Sequence, residues 1–156
     1  MDLRNYPRIF VIGFAGSDRR GAAEKLAKEL NYQLIDLDQE IEKEDGRSIQ
    51  RICMMMGEHE YRNKEYEMLE KIKNQEKIVV ICGDGIVLDD MNRQILERNG
   101  VFVADAEKSA QELWENAIRD QEHSPYAFMH QGDDQQKKEK FINLYEQRKS
   151  LYNQFG

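Results

Sequence analysis

Apolar residues fall along this chain in short β-branched runs that alternate with helical periodicities. Residues 9–12 (Ile-Phe-Val-Ile) form the first run, continuous enough for a strand buried on both faces. It breaks at Gly13, passes Gly16 and re-emerges at Gly21 into Ala22, Ala23, Leu26, Ala27 and Leu30, an apolar face at helical spacing. Residues 32–35 predict a second strand ending in Asp36-Leu37-Asp38, with Asp38 as cap of a helix whose Glu40, Glu42 and Glu44 face solvent. Gly46 stops that helix and Ser48 starts another over 49–56, with Ile52 and Met55 inward. A long helix opens at 57–62 and runs to about residue 74, turning Met68, Leu69 and Ile72 to the core.

Residues 78–82 make the clearest central strand and lead into the tight turn Gly83-Asp84-Gly85. A helix over 89–98, a fourth strand over 100–104 and a helix over 108–119 with Leu113 and Ala117 inward follow. Periodicity is lost over 120–136, which holds Pro125, Gly132, His123 and His130 and is read as a mobile flap. A last helix over 137–152 carries Phe141, Leu144, Tyr145 and Leu151 on one face and Arg148 near its end. Alternating strands and helices with short connections give an α/β fold: one domain over 1–156, its parallel sheet of four strands covered by helices on both faces.

Charge narrows the partners. The formal net charge is −7, which argues against nucleic acid and against an anionic membrane surface, so any anion site is a local basic cluster in an acidic shell. No stretch has the length of a membrane span or a signal peptide's apolar segment, and Cys53 and Cys82 have no neighbours at metal-ligand spacing. Together these features predict a cytoplasmic protein.

The candidate chemistry sits at two places. Strand, glycine turn and helix across Gly13, Ala15, Gly16, Ser17, Asp18, Arg19 and Arg20 give the setting of a phosphate-binding loop, with backbone amides and the positive helix end aimed at one small volume. A P-loop reads G-x-x-x-x-G-K-[ST]; here Asp18, Arg19 and Arg20 stand where Gly, Lys and Ser/Thr belong. Taken alone, the stretch fits an eroded P-loop and a plain βα turn equally well. Asp36 and Asp38 end a parallel strand, where open α/β sheets bind ligands. Arg62 is placed to reach across the same edge, although pairing with Glu58 or Glu65 on its own helix is the simpler expectation.

With these pieces in order, the sequence resembles the shikimate kinases from Arg8 to Tyr152. The stretches that carry the resemblance are LNYQLIDLDQEIEKEDGRSI, GEHEYRNKEYEMLE, VVICGDGIVL followed by NRQIL, and EQRKSLY. The resemblance implies a three-layer P-loop kinase fold that uses ATP and Mg²⁺ in aromatic amino acid biosynthesis. It implies that shikimate is held by Asp38, Arg62, Gly83, Asp84, Gly85 and Arg148, with Asp38 able to polarise a hydroxyl. Two guanidiniums on one carboxylate are the chemistry such a pocket needs. Asp36 falls where the family holds Mg²⁺ through water, and Asp84 replaces the middle glycine of a G-G-G turn, its side chain expected to point away.

On the nucleotide side the same alignment puts Arg19 in the place of the phosphate-binding lysine, Arg20 in that of the metal hydroxyl, Ser124 in that of a lid arginine and Ala117 near an adenine-stacking arginine, with Arg119 as its stand-in. Ser17 is the nearest substitute hydroxyl. The family continues into a fifth strand, expected beside the P-loop strand; a chain ending at Gly156 lacks it, which predicts an open edge and a homodimer through it. Three functions follow: a kinase-like binding module that has lost ATP chemistry, a working shikimate kinase using Arg19, or a phosphate-binding protein with a changed ligand.

Overall fold

The computed structural model describes residues 2–155. Four strands, β1 (Arg8–Ile12), β2 (Gln33–Asp36), β3 (Ile78–Ile81) and β4 (Gly100–Val103), pair in parallel in the order β2-β3-β1-β4. Seven α-helices surround them: α1 (Arg19–Leu30), α2 (Leu37–Asp45), α3 (Ile49–Met56), α4 (Glu58–Ile72), α5 (Asp90–Glu97), α6 (Ala110–Arg119) and α7 (Asp134–Asn153). No helix among the described residues is long and apolar enough to cross a membrane.

Alternation along the buried strands divides the core in two. Ile9, Val11, Val79 and Ile81 meet α1 through Ala23 and Ala27, whose small side chains let the helix lie close to the sheet. Phe10, Ile12, Ile78 and Val80 face the opposite layer, where Tyr61, Leu69, Leu96, Trp114 and Phe141 fill the space beneath α4 to α7. Both faces are covered, as uninterrupted apolar strands require.

Several boundaries differ from expectation, each for a local reason. Helix α1 begins at Arg19 because Asp18 caps it, its carboxylate accepting from the Gly21 amide at 2.9 Å. Asp36, not Asp38, caps α2 by accepting from the Gln39 amide at 3.1 Å, which moves Asp38 into the first turn. Met55 is exposed, not inward: α3 buries Ile49 and Ile52, then ends at Gly57 before a third turn can reach the core. Helix α7 starts at Asp134, earlier than residue 137, because Asp133 and Gln136 form a reciprocal cap. The expected position of a fifth strand is also corrected. β1 has β3 on one side and β4 on the other, so the sheet edges are β2 and β4 and no place is open beside β1.

Candidate functional site

The turn from β1 to α1 crosses the carboxyl edge of the sheet under α6. Gly16 has φ +86°, and a Cβ there would lie 2.1 Å from the Leu113 carbonyl oxygen, so the turn rests directly on the α6 backbone. Asn116 Nδ2 donates to the Gly16 carbonyl at 3.2 Å and fixes the same contact. The Ser17 hydroxyl donates back to the Phe14 carbonyl at 2.5 Å and is committed inside the turn.

The three residues that depart from the P-loop pattern have partners of their own. Asp18 covers the first turn of α1 with its carboxylate, and its amide donates to Asp105 Oδ2 at 2.7 Å. Two amides at the mouth of the cradle thus already face carboxylates. Arg19 reaches across the cleft, with Nη1 donating to the Cys82 carbonyl at 3.0 Å at the end of β3. Arg20 Nη2 donates to Asp36 Oδ2, and Arg20 Nη1 lies 3.7 Å from Glu24. Asp36, the residue expected to hold Mg²⁺ through water, carries a guanidinium instead.

Two cavities of about 480 and 520 Å³ meet over this turn and share Ser17, Asp18, Arg19, Asp120 and His123. One runs toward Asp36 and Asp38; the other runs between Asn116 and Pro125 and ends at Asp84 and Tyr126. Arg19 is the cation common to both. The segment expected as a flap forms two short 3-10 turns, Gln121–His123 and Ala127–His130, and buries Tyr126 and Met129 against the body of the protein.

The other half of the site lies at the ends of β2 and β3 and on α4. Asp38 Oδ1 accepts from the Tyr61 hydroxyl at 2.7 Å, and burial pushes the Asp38 carboxyl up to about 6. Arg62 Nη1 donates to Glu65 at 2.8 Å and Arg62 Nη2 to Glu58 at 3.0 Å, so the simpler expectation for this arginine holds on both counts. Glu65 is fully buried, its Oε2 has no hydrogen-bond partner, and burial lifts its carboxyl to about 7 against the pull of Arg62. The glycines of the turn are needed for space: a Cβ on Gly83 would lie 2.5 Å from the Tyr61 hydroxyl, and one on Gly85 2.2 Å from the Arg62 guanidinium carbon. Both arginines are covered, with side-chain exposures of 14 % for Arg62 and 8 % for Arg148.

Asp84 does not point away. It is buried and turned inward, accepting from the Tyr126 hydroxyl at 2.5 Å with Arg148 Nη1 at 3.4 Å. The reason is local charge: an unpaired buried guanidinium is costly, and a carboxylate within reach relieves it. Arg148 Nη1 also donates to the Tyr126 hydroxyl, and the Tyr152 hydroxyl donates to the Asp84 carbonyl. The structure therefore brings Asp38, Arg62, Gly83, Asp84, Gly85 and Arg148 to one place, and adds Tyr61, Glu65 and Tyr126. Glu65 was legible as a partner three residues along the helix from Arg62. Tyr126 sits in a stretch without periodicity and carried no signal.

The raised carboxyls set a pH dependence. Asp38 and Glu65 start from ordinary values of 3.8 and 4.5 and are both higher when folded, so the folded chain binds extra protons. Their contribution to stability is complete below their unfolded values and is lost as pH rises through about 6 and about 7. Urea unfolding is expected to show stability falling by roughly 2–4 kcal/mol from pH 5 to pH 8. Glu65→Gln should remove about two thirds of that fall; a parent whose stability rises over the same range overturns the assignment.

Comparison with known proteins bears on the whole arrangement. The family model described as shikimate kinase matches residues 16–156. A bifunctional shikimate kinase/3-dehydroquinate synthase from Thermotoga maritima is 32 % identical over 148 residues, which is 95 % of this chain and 28 % of that protein. A shikimate kinase from Persephonella marina is 35 % identical over 95 residues, 61 % of this chain and 58 % of the relative. This chain thus spans well under two thirds of the length of both relatives.

Among solved structures, a shikimate kinase from Acinetobacter baumannii in complex with shikimate superposes with a TM-score of 0.82 at 22 % identity, covering 99 % of this chain and 82 % of that one. One from Bacteroides thetaiotaomicron gives 0.80 at 24 % identity, covering 94 % and 82 %. The α/β fold is theirs, and the model match runs from the glycine turn through the arginine of α7: the chain belongs to the shikimate kinase family.

Proposed function

We propose that this chain is a shikimate-kinase-like binding protein that keeps the family's pocket for a small hydroxylated ring and has lost most of its ATP-dependent transfer. One observation carries the proposal: the Arg20 guanidinium sits on Asp36, the carboxylate that would serve the metal. Mg²⁺ does not fit these residues, because a cation already neutralises Asp36 and the hydroxyl that would ligate the metal is replaced by Arg20. The Walker A motif is in this sense degenerate. Asp18 adds a negative charge at the helix end where phosphates would rest. Ser124 supplies no charge to the flap, and Arg19 is the one arginine common to both cavities. Phosphoryl transfer asks a protein mainly for positioning and charge neutralisation, and both are reduced here.

The pocket residues take simple roles. Arg62 and Arg148 bring guanidiniums from α4 and α7, Asp38 accepts from a ring hydroxyl, and the bare Gly83 and Gly85 let Tyr61 and Arg62 pack against the turn. The segment 120–136 closes over both cavities as a lid. A cytoplasmic location and self-association at a sheet edge belong to the same proposal. A working kinase is the second reading, favoured by Arg19, which reaches both cavities from the position of the phosphate-binding lysine. Calorimetry with Mg·ATP and with shikimate, alongside an ADP-release assay, separates the two. The expected result is saturable binding of shikimate, no binding of Mg·ATP at millimolar nucleotide and no turnover. ADP release at an ordinary kinase's rate, abolished by Arg19→Ala, would establish the second reading.

A further inference from the structure

We propose that Asp84 determines what the arginine pocket selects: its carboxylate is the anion that Arg148 and Tyr126 hold, so the pocket favours an uncharged polyhydroxylated ring over a ring acid. The inference rests on Arg62 and Arg148 forming a ligand pocket, and it names the ligand chemistry that this version of the pocket prefers.

The donors that a ligand carboxylate needs are already in use. A guanidinium recognises a carboxylate through two parallel N–H bonds, which requires a free edge. Arg62 has both terminal nitrogens on Glu65 and Glu58, and Nη2 also lies 3.4 Å from the Tyr126 hydroxyl. Arg148 Nη1 faces Asp84 and Tyr126, while its Nη2 is 3.8 Å from Glu58. Two cations are thus matched by Glu58, Glu65 and Asp84 before any ligand arrives.

Asp84 is also held firmly. Its side chain accepts from Tyr126 and its carbonyl accepts from Tyr152, so carboxylate and backbone are fixed from the flap and from α7 respectively. A ligand carboxylate entering here meets a like charge in a site where Asp84 is only 5 % exposed. Ring hydroxyls meet no such opposition. They accept from guanidinium and donate to carboxylate, and the cavity wall offers Asp84 while Asp38 lies beside the same glycine turn. Glycine at position 84 would return Arg148 to the ligand.

Calorimetric titration of the whole chain with shikimate and with its methyl ester tests this, since the two probes share their ring hydroxyls and differ in charge. The parent is expected to bind the ester at least tenfold more tightly than the acid. Asp84→Gly, and Asp84→Asn as a variant that keeps the side-chain volume, are expected to reverse that order by tenfold or more. A parent that prefers the acid, or a preference left within threefold of the parent's in both variants, overturns the role of Asp84 and leaves the pocket standing. Folded parent and variants that bind neither probe overturn the pocket itself and this inference with it.

Discussion

Mg·ATP affinity is expected to rise roughly a hundredfold in the double variant Asp18→Gly/Arg20→Ser. Two unit charges about 4 Å apart at an effective dielectric near 20 interact by about 4 kcal/mol, and a cradle that holds Asp18 sets that repulsion against any phosphate resting there. Even partial relief is worth a factor of 100 at about 2.7 kcal/mol. The structural cost of the change is small. Asp18 caps α1, and glycine at an N-cap loses only a few tenths of a kcal/mol relative to aspartate. Serine at position 20 frees Asp36 from its guanidinium and supplies the hydroxyl that a P-loop offers to the metal. Titrations with and without Mg²⁺ read the outcome: the gain should depend on the metal in the variant, with no such dependence in the parent. A variant within threefold of the parent would show that these two side chains do not limit nucleotide binding.

How much of this was legible in the sequence follows from where the physical signal lies. Strands β1 and β3, buried on both faces, announce themselves as continuous apolar runs, and the edge strands β2 and β4 as shorter apolar stretches, so all four and their parallel pairing could be read, and the glycine turn after residue 12 lies where β1 passes into α1. Caps were harder. Asp36 and Asp38 are both acceptable N-caps, and only the backbone decides that Asp36 has the extended conformation a cap needs. Met55 continues the spacing of Ile49 and Ile52, yet periodicity does not reveal where a partner surface stops.

Asp84 shows the same limit inside the site. Its direction depends on Tyr126, 42 residues later in a stretch with no repeating pattern, and on Arg148 a further 22 residues on. A turn residue has no facing rule of the kind that helices and strands impose. Arg62 was the opposite case: partners three and four residues away on one helix are written in the sequence, and both are made.

Gly16→Ala is expected to cost on the order of 2–5 kcal/mol of stability, more than Gly46→Ala, although both glycines have nearly the same backbone angle. Gly16 has φ +86° and Gly46 φ +88°, so each substitution places an L side chain in the left-handed region, at about 1–2 kcal/mol. The surroundings differ. A Cβ at Gly46 meets nothing within 4 Å, whereas one at Gly16 would stand 2.1 Å from the Leu113 carbonyl oxygen and 2.8 Å from its carbon. Backbone at the middle of α6 cannot swing aside as a side-chain tip can, so the cradle or the helix must move, and overpacking of that kind adds about 1–3 kcal/mol. The disturbance also passes through Asn116, which holds the Gly16 carbonyl and lines the cavity beside the flap. Urea unfolding of the two variants in parallel isolates the contact from the backbone effect. Equal losses at the two positions would mean that the turn does not rest on α6 as described, and the geometry of the whole cleft floor would have to be redrawn.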